Sequence, residues 1–147
     1  MNKSIPSVMM KDHDKLENLF EKFLKQVKSS FEDHATVMKK FFDFKWNLEK
    51  HFFVEEKVIF SIYNYSNEEE SDAIRGVLNE HKNILWLINR IEIDLEDKKI
   101  PKTMNLAEIL KNHAQFENKI LYPKLEEVLD KNEKQIILDR IGDIVIN

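Results

Sequence analysis

The sequence predicts an all-α protein, an antiparallel up-down-up-down four-helix bundle, and three observations support this prediction. The chain of 147 residues contains only two glycines and three prolines, so few positions interrupt a helix. Its hydrophobic residues, 42% of the chain, recur at intervals of three and four, the spacing of one buried helical face. Short polar segments separate the periodic stretches, and short connections place successive helices antiparallel. We therefore expect one domain, residues 1–147, with a bundle core at about 8–130 and a C-terminal extension at 131–147.

The four helices are predicted at about 7–29, 33–63, 70–97 and 102–130. The first ends at "SSFED", whose serines and aspartate suit the N-cap of the second. The second ends at "NYSNEEES", which is polar and offers caps and acids for the start of the third. The third ends at "DKKIPKTMN", where the proline can begin a helix but cannot continue one.

The C-terminal segment "KQIILDRIGDIVIN" is also apolar at helical spacing. Two interpretations stay open: a short fifth helix packed on one end of the bundle, or a contact surface within a homodimer.

Charge and composition exclude several function classes. The net charge of −4 predicts neither a nucleic-acid partner nor an anionic membrane surface. No apolar run is long enough to span a bilayer, and the N-terminus lacks the apolar core of a signal peptide, so we expect a soluble cytoplasmic protein. The absence of cysteine excludes disulfides, iron–sulfur ligation and thiol chemistry.

Two segments, "HFFVEEKVIF" (51–60) and "HAQFENKILY" (113–122), each place a histidine four residues before a glutamate within an apolar stretch. Residues four apart share a helix face, so His51 with Glu55, and His113 with Glu117, point toward the core. A buried carboxylate without a partner costs several kcal/mol or stays protonated. No lysine or arginine lies on these inward faces to neutralise the two glutamates.

Four histidines, one in each predicted helix, lie at similar distances from the turns, and therefore at one level of the bundle. They are His13, His51, His81 and His113. Together with Glu55 and Glu117 they predict a site for two metal cations, which neutralises both acids and engages every imidazole. The fifth histidine, His34, lies 17 residues before His51, which is ~25 Å along a helix, and is assigned a structural or solvent role.

Two further acids flank these residues. Glu56 and Glu80 are rotated off the inward face by ~100°, which predicts exposure to solvent and at most a supporting role beside the ligands.

The chain also contains an internal repeat. The segment "DHDKLENLF" (12–20) parallels "EHKNILWLI" (80–88), as the two histidine–glutamate segments parallel each other. A duplicated helix pair predicts a site with approximate twofold symmetry.

The order of these residues (His, His-x-x-x-Glu, His, His-x-x-x-Glu) resembles the hemerythrin-like family, also called HHE cation-binding domains. The segments "HFFVEE", "NEHKNIL" and "HAQFENKILYPKLEE" carry the resemblance, which covers about residues 8–130. It implies a non-haem di-iron centre with an oxo or hydroxo bridge. It also implies that His13 and His51 bind one iron, that His81 and His113 bind the other, and that Glu55 and Glu117 bridge them.

The sequence departs from the oxygen-carrying members of that family at two positions. Val77 stands where the carriers have a fifth histidine, and Glu117 follows His113 by four residues where the carriers have an aspartate at five. Fewer protein ligands leave open coordination positions, which favour reaction with O₂, peroxide or NO over reversible carriage.

Three functional interpretations follow. The first is a di-iron protein that binds or senses O₂ or NO, or handles iron. The second is a di-iron enzyme acting on peroxide, O₂ or NO, including repair of iron centres. The third is a structural helical module whose polar layer fixes the bundle register. Imidazole and carboxylate ligands suit iron, with manganese or zinc as alternative ions.

Overall fold

The computed structural model describes residues 3–63 and 68–145. Within these ranges the chain forms five helices and no strand, which confirms the predicted all-helical class and is consistent with a helical bundle. Two helices each run through a π-helical segment. The helices are α1 (Ile5–Ser30), α2 (His34–Phe53, continued by Val54–Ile59 and Phe60–Ile62), α3 (Glu68–Glu96), α4 (Met104–Phe116, continued by Glu117–Leu121 and Tyr122–Val128) and α5 (Lys131–Val145). The predicted bounds agree to within about two residues, and most of the second predicted connection, 64–67, lies outside the described residues.

Local capping explains where the first two helices begin. The Ser4 hydroxyl accepts a hydrogen bond from the backbone N–H of Ser7, and the Ser7 hydroxyl accepts one from the Ser4 N–H, both at 3.1 Å. This reciprocal pair satisfies backbone donors that the first turn of a helix leaves without partners. The Asp33 carboxylate accepts a hydrogen bond from the Thr36 N–H at 3.3 Å, as the "SSFED" segment predicts.

The end of α3 contains the one non-glycine residue with positive φ in the described part of the chain, Lys98, at 57°. The Lys99 N–H donates to the carbonyl of Asp94 at 2.8 Å, and the Lys98 N–H donates to that of Leu95 at 3.0 Å. These paired bonds form the left-handed cap that commonly ends a helix, usually with glycine at this position.

The apolar core consists of two clusters, and every helix that carries a site histidine contributes to both. The lower cluster includes Met9, Val54, Val77 and Leu121. The upper cluster includes Leu16, Leu48, Ile84 and Leu106. Along α1, α3 and α4 the site histidine lies between residues of the two clusters, and on α2 His51 adjoins Phe52, the last upper-cluster residue before Val54 of the lower cluster. The site therefore forms a polar layer between the clusters.

The fifth helix belongs to the lower cluster, because Ile137 and Ile141 are buried there beside residues of α1 and α2. This is the first of the two interpretations of the C-terminal segment. A homodimer stays a prediction. No helix in the described part of the chain is both long and apolar enough to cross a membrane.

Candidate metal centre

The six residues that the sequence singled out are brought together in one buried cluster. Glu55 and Glu117 have no exposed surface, and the four histidines are between 1% and 8% exposed. Apart from two tyrosines, they are the only polar or charged residues among the buried residues that the structure describes. His34 is the first residue of α2 and is not part of any candidate ligand group among the described residues.

The candidate ligand atoms fall into two groups. One comprises Glu55, His81, His113 and Glu117, and the other comprises His13, His51 and Glu117. Within each group the atoms lie within 4.8 Å of one another. The histidines therefore pair as the family resemblance implies, and Glu117 belongs to both groups. Glu55 also lies between the pairs, because its Oε1 is 3.1 Å from His81 Nε2 and 3.4 Å from His51 Nε2.

Both glutamates lie at the entry to a π-helical segment. Val54–Ile59 contains Glu55, and Glu117–Leu121 begins at Glu117. A π-helix bonds each residue to the fifth along rather than the fourth, which changes the face presented by the residues that follow. The second segment consequently brings Glu117 and Tyr122, five residues apart, to the same centre.

Each site histidine donates a hydrogen bond from Nδ1 to a side chain of a neighbouring helix. Three of the four acceptors lie on the helix that precedes their histidine in the chain. Asp12 on α1 accepts from His51 on α2 at 2.6 Å, and Glu56 on α2 accepts from His81 on α3 at 2.7 Å. Glu80 on α3 binds His113 on α4 at 2.5 Å, and Asn118 on α4 binds His13 on α1 at 2.8 Å. These four side chains, Asp12, Glu56, Glu80 and Asn118, form an acceptor ring around the site.

The acceptor ring determines which ring nitrogen of each site histidine carries the proton. Carboxylate and amide oxygens only accept, so every Nδ1 carries the proton. In the neutral imidazole the Nε2 lone pair then faces the centre, which is the arrangement that metal-binding histidines show when a carboxylate holds their other nitrogen.

Glu56 and Glu80 take the supporting role beside the ligands that the sequence allowed them. Their side chains are partly exposed, at 33% and 44%, and each carboxylate also accepts a hydrogen bond from a site histidine. A rotation of ~100° from the inward face turns a side chain toward the adjacent helix of a bundle. Sequence reasoning missed Asp12 and Asn118, which lie on the same kind of face. Their signal was adjacency, because each of the four acceptors is next in sequence to a site residue.

Tyr122 is a further site residue that sequence reasoning missed. Its hydroxyl donates toward Glu55 Oε2 at 2.9 Å and Glu117 Oε1 at 3.1 Å. Burial, together with the charges of both glutamates, holds the pKa of Tyr122 well above its ordinary value, so the hydroxyl stays protonated. In the internal repeat the matching residue is Phe60, so only one half of the site has a hydroxyl here.

The pKa values of the two glutamates are shifted in opposite directions. Burial, and then the charge of Glu117, raise the pKa of Glu55. Burial also acts to raise the pKa of Glu117, but hydrogen bonds from Glu55, His113 and His13 outweigh it and lower that pKa well below the ordinary value. The pair therefore holds its first proton on Glu55 in preference to Glu117.

Two histidines carry positive charge in this metal-free arrangement. Burial lowers the pKa of His51, but Glu55 and Asp12 outweigh it and leave the pKa well above the ordinary value. Burial likewise lowers the pKa of His113, while its bond to Glu117 raises it more, to about 9. Protons thus occupy the positions that a cation would take.

The site fits metal cations because several of its buried atoms make no well-aligned hydrogen bond and have at most a longer contact with a neighbouring charged group. Among the described residues these include Glu55 Oε1, Glu117 Oε2, His81 Nε2 and His113 Nε2. A buried polar atom without a partner costs ~1–3 kcal/mol. All four converge on the centre of the first ligand group, where nitrogen and carboxylate oxygen suit a transition-metal ion.

Comparison with known proteins agrees with this geometry. The sequence profile of the hemerythrin HHE cation-binding domain matches residues 4–125, which is most of the chain and contains all six predicted ligands. No solved structure is significantly similar to the chain. The chain belongs to the hemerythrin HHE cation-binding domain family.

Proposed function

We propose that this protein holds two iron ions between four antiparallel helices and binds a small ligand there, O₂, NO or peroxide. The observation that carries the proposal is the convergence of buried nitrogen and carboxylate oxygen atoms at one layer. In this proposal His13 and His51 hold one ion, and His81 and His113 hold the other. Glu55 and Glu117 bridge them, since each lies near both histidine pairs.

The bound ions supply Lewis acidity and electrons to a small ligand. The protein residues orient that chemistry. The acceptor ring holds each Nε2 toward the centre, and Tyr122 offers a hydroxyl donor that reaches both glutamates. Val77, at the position of the carriers' fifth histidine, is buried one helical turn before His81 and supplies no ligand atom.

Metal content tests the proposal. The protein purified from native expression should contain two iron ions per chain, and both should be lost in Glu55→Ala and in Glu117→Ala because each carboxylate bridges. His34→Ala is the matched control and should retain both ions. One ion held tightly in either glutamate variant would contradict bridging. Zero metal, with no change in melting temperature on chelation, would support the structural module instead.

The enzyme interpretation is the second candidate, and the observation that favours it is a cavity that opens onto three of the site histidines. Steady consumption of peroxide or NO by the iron-loaded, reduced protein would identify an enzyme. Stoichiometric binding without turnover would identify a sensor or a carrier.

A further inference from the structure

A cavity of about 440 Å³ lies between α1, α2 and α4 on the upper side of the polar layer. Its walls are mainly apolar and include Leu16, Phe20, Leu48, Phe52, Ala107 and Leu110. Its inner end is formed by His13, His51 and His113. The cavity therefore joins the candidate metal centre to the upper apolar cluster.

The volume of the cavity is far larger than a diatomic ligand requires. One water molecule occupies ~30 Å³ in the liquid, and O₂ and NO are of similar size. The volume of 440 Å³ falls instead within the range of pockets that enclose organic ligands, roughly 300–1,000 Å³.

The charges at the rim select against anions. Asp14, Glu17, Glu21 and Lys111 line the cavity and are exposed, which places three carboxylates beside one ammonium group. A rim of net negative charge repels an anionic ligand on its approach. A neutral molecule is not penalised there, and apolar walls favour it.

We propose that this cavity binds a neutral, mainly apolar organic molecule with one hydroxyl or hydroperoxide group, oriented with that group toward the histidines. The assignment deepens the enzyme interpretation, since it names an alkyl hydroperoxide or alcohol as the class of molecule that reaches the centre. Any reaction of the bound molecule rests on the proposed function, because the metal ions would carry it out. Binding of the molecule in the cavity depends on the apolar walls instead.

The cavity exists partly because α4 presents small side chains toward it. Ala107 and Ala114 are seven residues apart on α4, so they share a face, and both line the cavity half-buried. Ala107 lies six residues from His113 and is not in the ligand layer. Larger side chains at Ala107 should therefore occupy the cavity without altering the ligands.

The experiment titrates metal-loaded protein with 2-phenyl-2-propanol, a neutral alcohol of about ten heavy atoms, which suits a pocket of this class. Calorimetry should show saturable binding at one site per chain. Ala107→Leu should weaken it by about tenfold, and Ala107→Phe further, because filling the space removes the apolar contacts. Ala35→Leu, an identical change at an exposed position of α2, should leave the affinity unchanged. Benzoate, an anion of similar size, should associate at least tenfold more slowly in stopped-flow mixing, because the acidic rim repels it on approach.

Absence of saturable binding, or equal affinities for Ala107→Leu, Ala107→Phe and the natural protein, would overturn the proposal. Equal association rates for benzoate and the alcohol would overturn the assignment to neutral ligands. Iron content measured on the same samples separates this proposal from the proposed function. Two ions per chain without alcohol binding would refute the cavity alone, and alcohol binding to protein that takes up no metal would refute the di-iron centre alone.

Discussion

At the scale of single residues, the acceptor ring is asymmetric. Asp12, Glu56 and Glu80 accept through carboxylates, whereas Asn118 accepts from His13 through a neutral amide. A carboxylate makes its imidazole a stronger electron donor to a metal, and charge-assisted bonds are roughly twice as strong as neutral ones. His13 is therefore the weakest of the four nitrogen donors.

Replacing this amide by a carboxylate should strengthen metal retention. In Asn118→Asp we expect the ion bound by His13 to leave about tenfold more slowly during chelation, a change of the size that outer partners of ligands produce. Stopped-flow release to a chelator measures this rate. Asn112→Asp adds the same charge at an exposed position of α4 and serves as the control. Equal slowing in both variants would assign the effect to net charge instead of the hydrogen bond.

Removing the Tyr122 hydroxyl should destabilise the metal-free protein more than the metal-loaded protein. Tyr122→Phe keeps the ring but leaves the buried Oε2 of Glu55 without its donor, at a cost of ~1–3 kcal/mol. Bound cations neutralise both glutamates and reduce that cost. Urea unfolding with and without metal gives the two free energies. An equal loss in both states would contradict the assignment of the hydroxyl to the carboxylates.

At the scale of helices, the cap of α3 contains removable strain. Lys98 adopts φ 57°, where an L side chain costs about 1–2 kcal/mol and glycine has no penalty. We expect Lys98→Gly to raise the free energy of unfolding by roughly 0.5–1 kcal/mol after the entropy of the unfolded glycine is included. Lys99→Gly, at the next exposed position without positive φ, should stabilise nothing. Urea denaturation compares the two, and a gain in both variants would refute the strain argument.

Helices were easier to predict than their internal geometry. Periodicity and caps located the first four helices, because apolar stripes and capping residues are local signals, and they left the fifth as one of two open interpretations. The π-helical segments Val54–Ile59 and Glu117–Leu121 left no such signal, since one extra residue per turn changes neither composition nor hydropathy. The glutamates within apolar stretches revealed the ligand layer in the sequence. The residues of the acceptor ring could not be predicted in the same way, because each bonds a histidine of another helix and the sequence does not state which helices are neighbours.

At the scale of the whole molecule, stability should depend on pH in opposite ways with and without metal. The folded-state pKa of His113 is about 9 and that of His51 is also raised, against an ordinary value of 6.5. Protonation of these raised groups stabilises the metal-free fold fully below pH 6.5, and this contribution is lost as pH rises through about 9. Metal binding needs neutral imidazoles, so its stabilisation grows over the same interval.

The melting temperature of metal-free protein should therefore fall by several degrees between about pH 6.5 and pH 9, while the gain from added metal widens. Glu117 has a lowered pKa, so its contribution is present across this interval and is lost only in acid. Calorimetry of both forms at matched ionic strength tests the prediction. Parallel curves for the two forms would show that protons and metal do not compete for the same nitrogens.

The acceptor ring also constrains the order in which the helices are arranged around the bundle axis. Each of the first four helices carries one imidazole for the helix before it and one acceptor for the helix after it, and α4 closes the circle onto α1. If the helices were arranged in the opposite rotational order about the bundle axis, Asp12 would face α4 instead of α2, and every imidazole would face a helix side without its acceptor. The polar layer therefore favours one rotational order of the helices, a form of selection against the mirror-image arrangement.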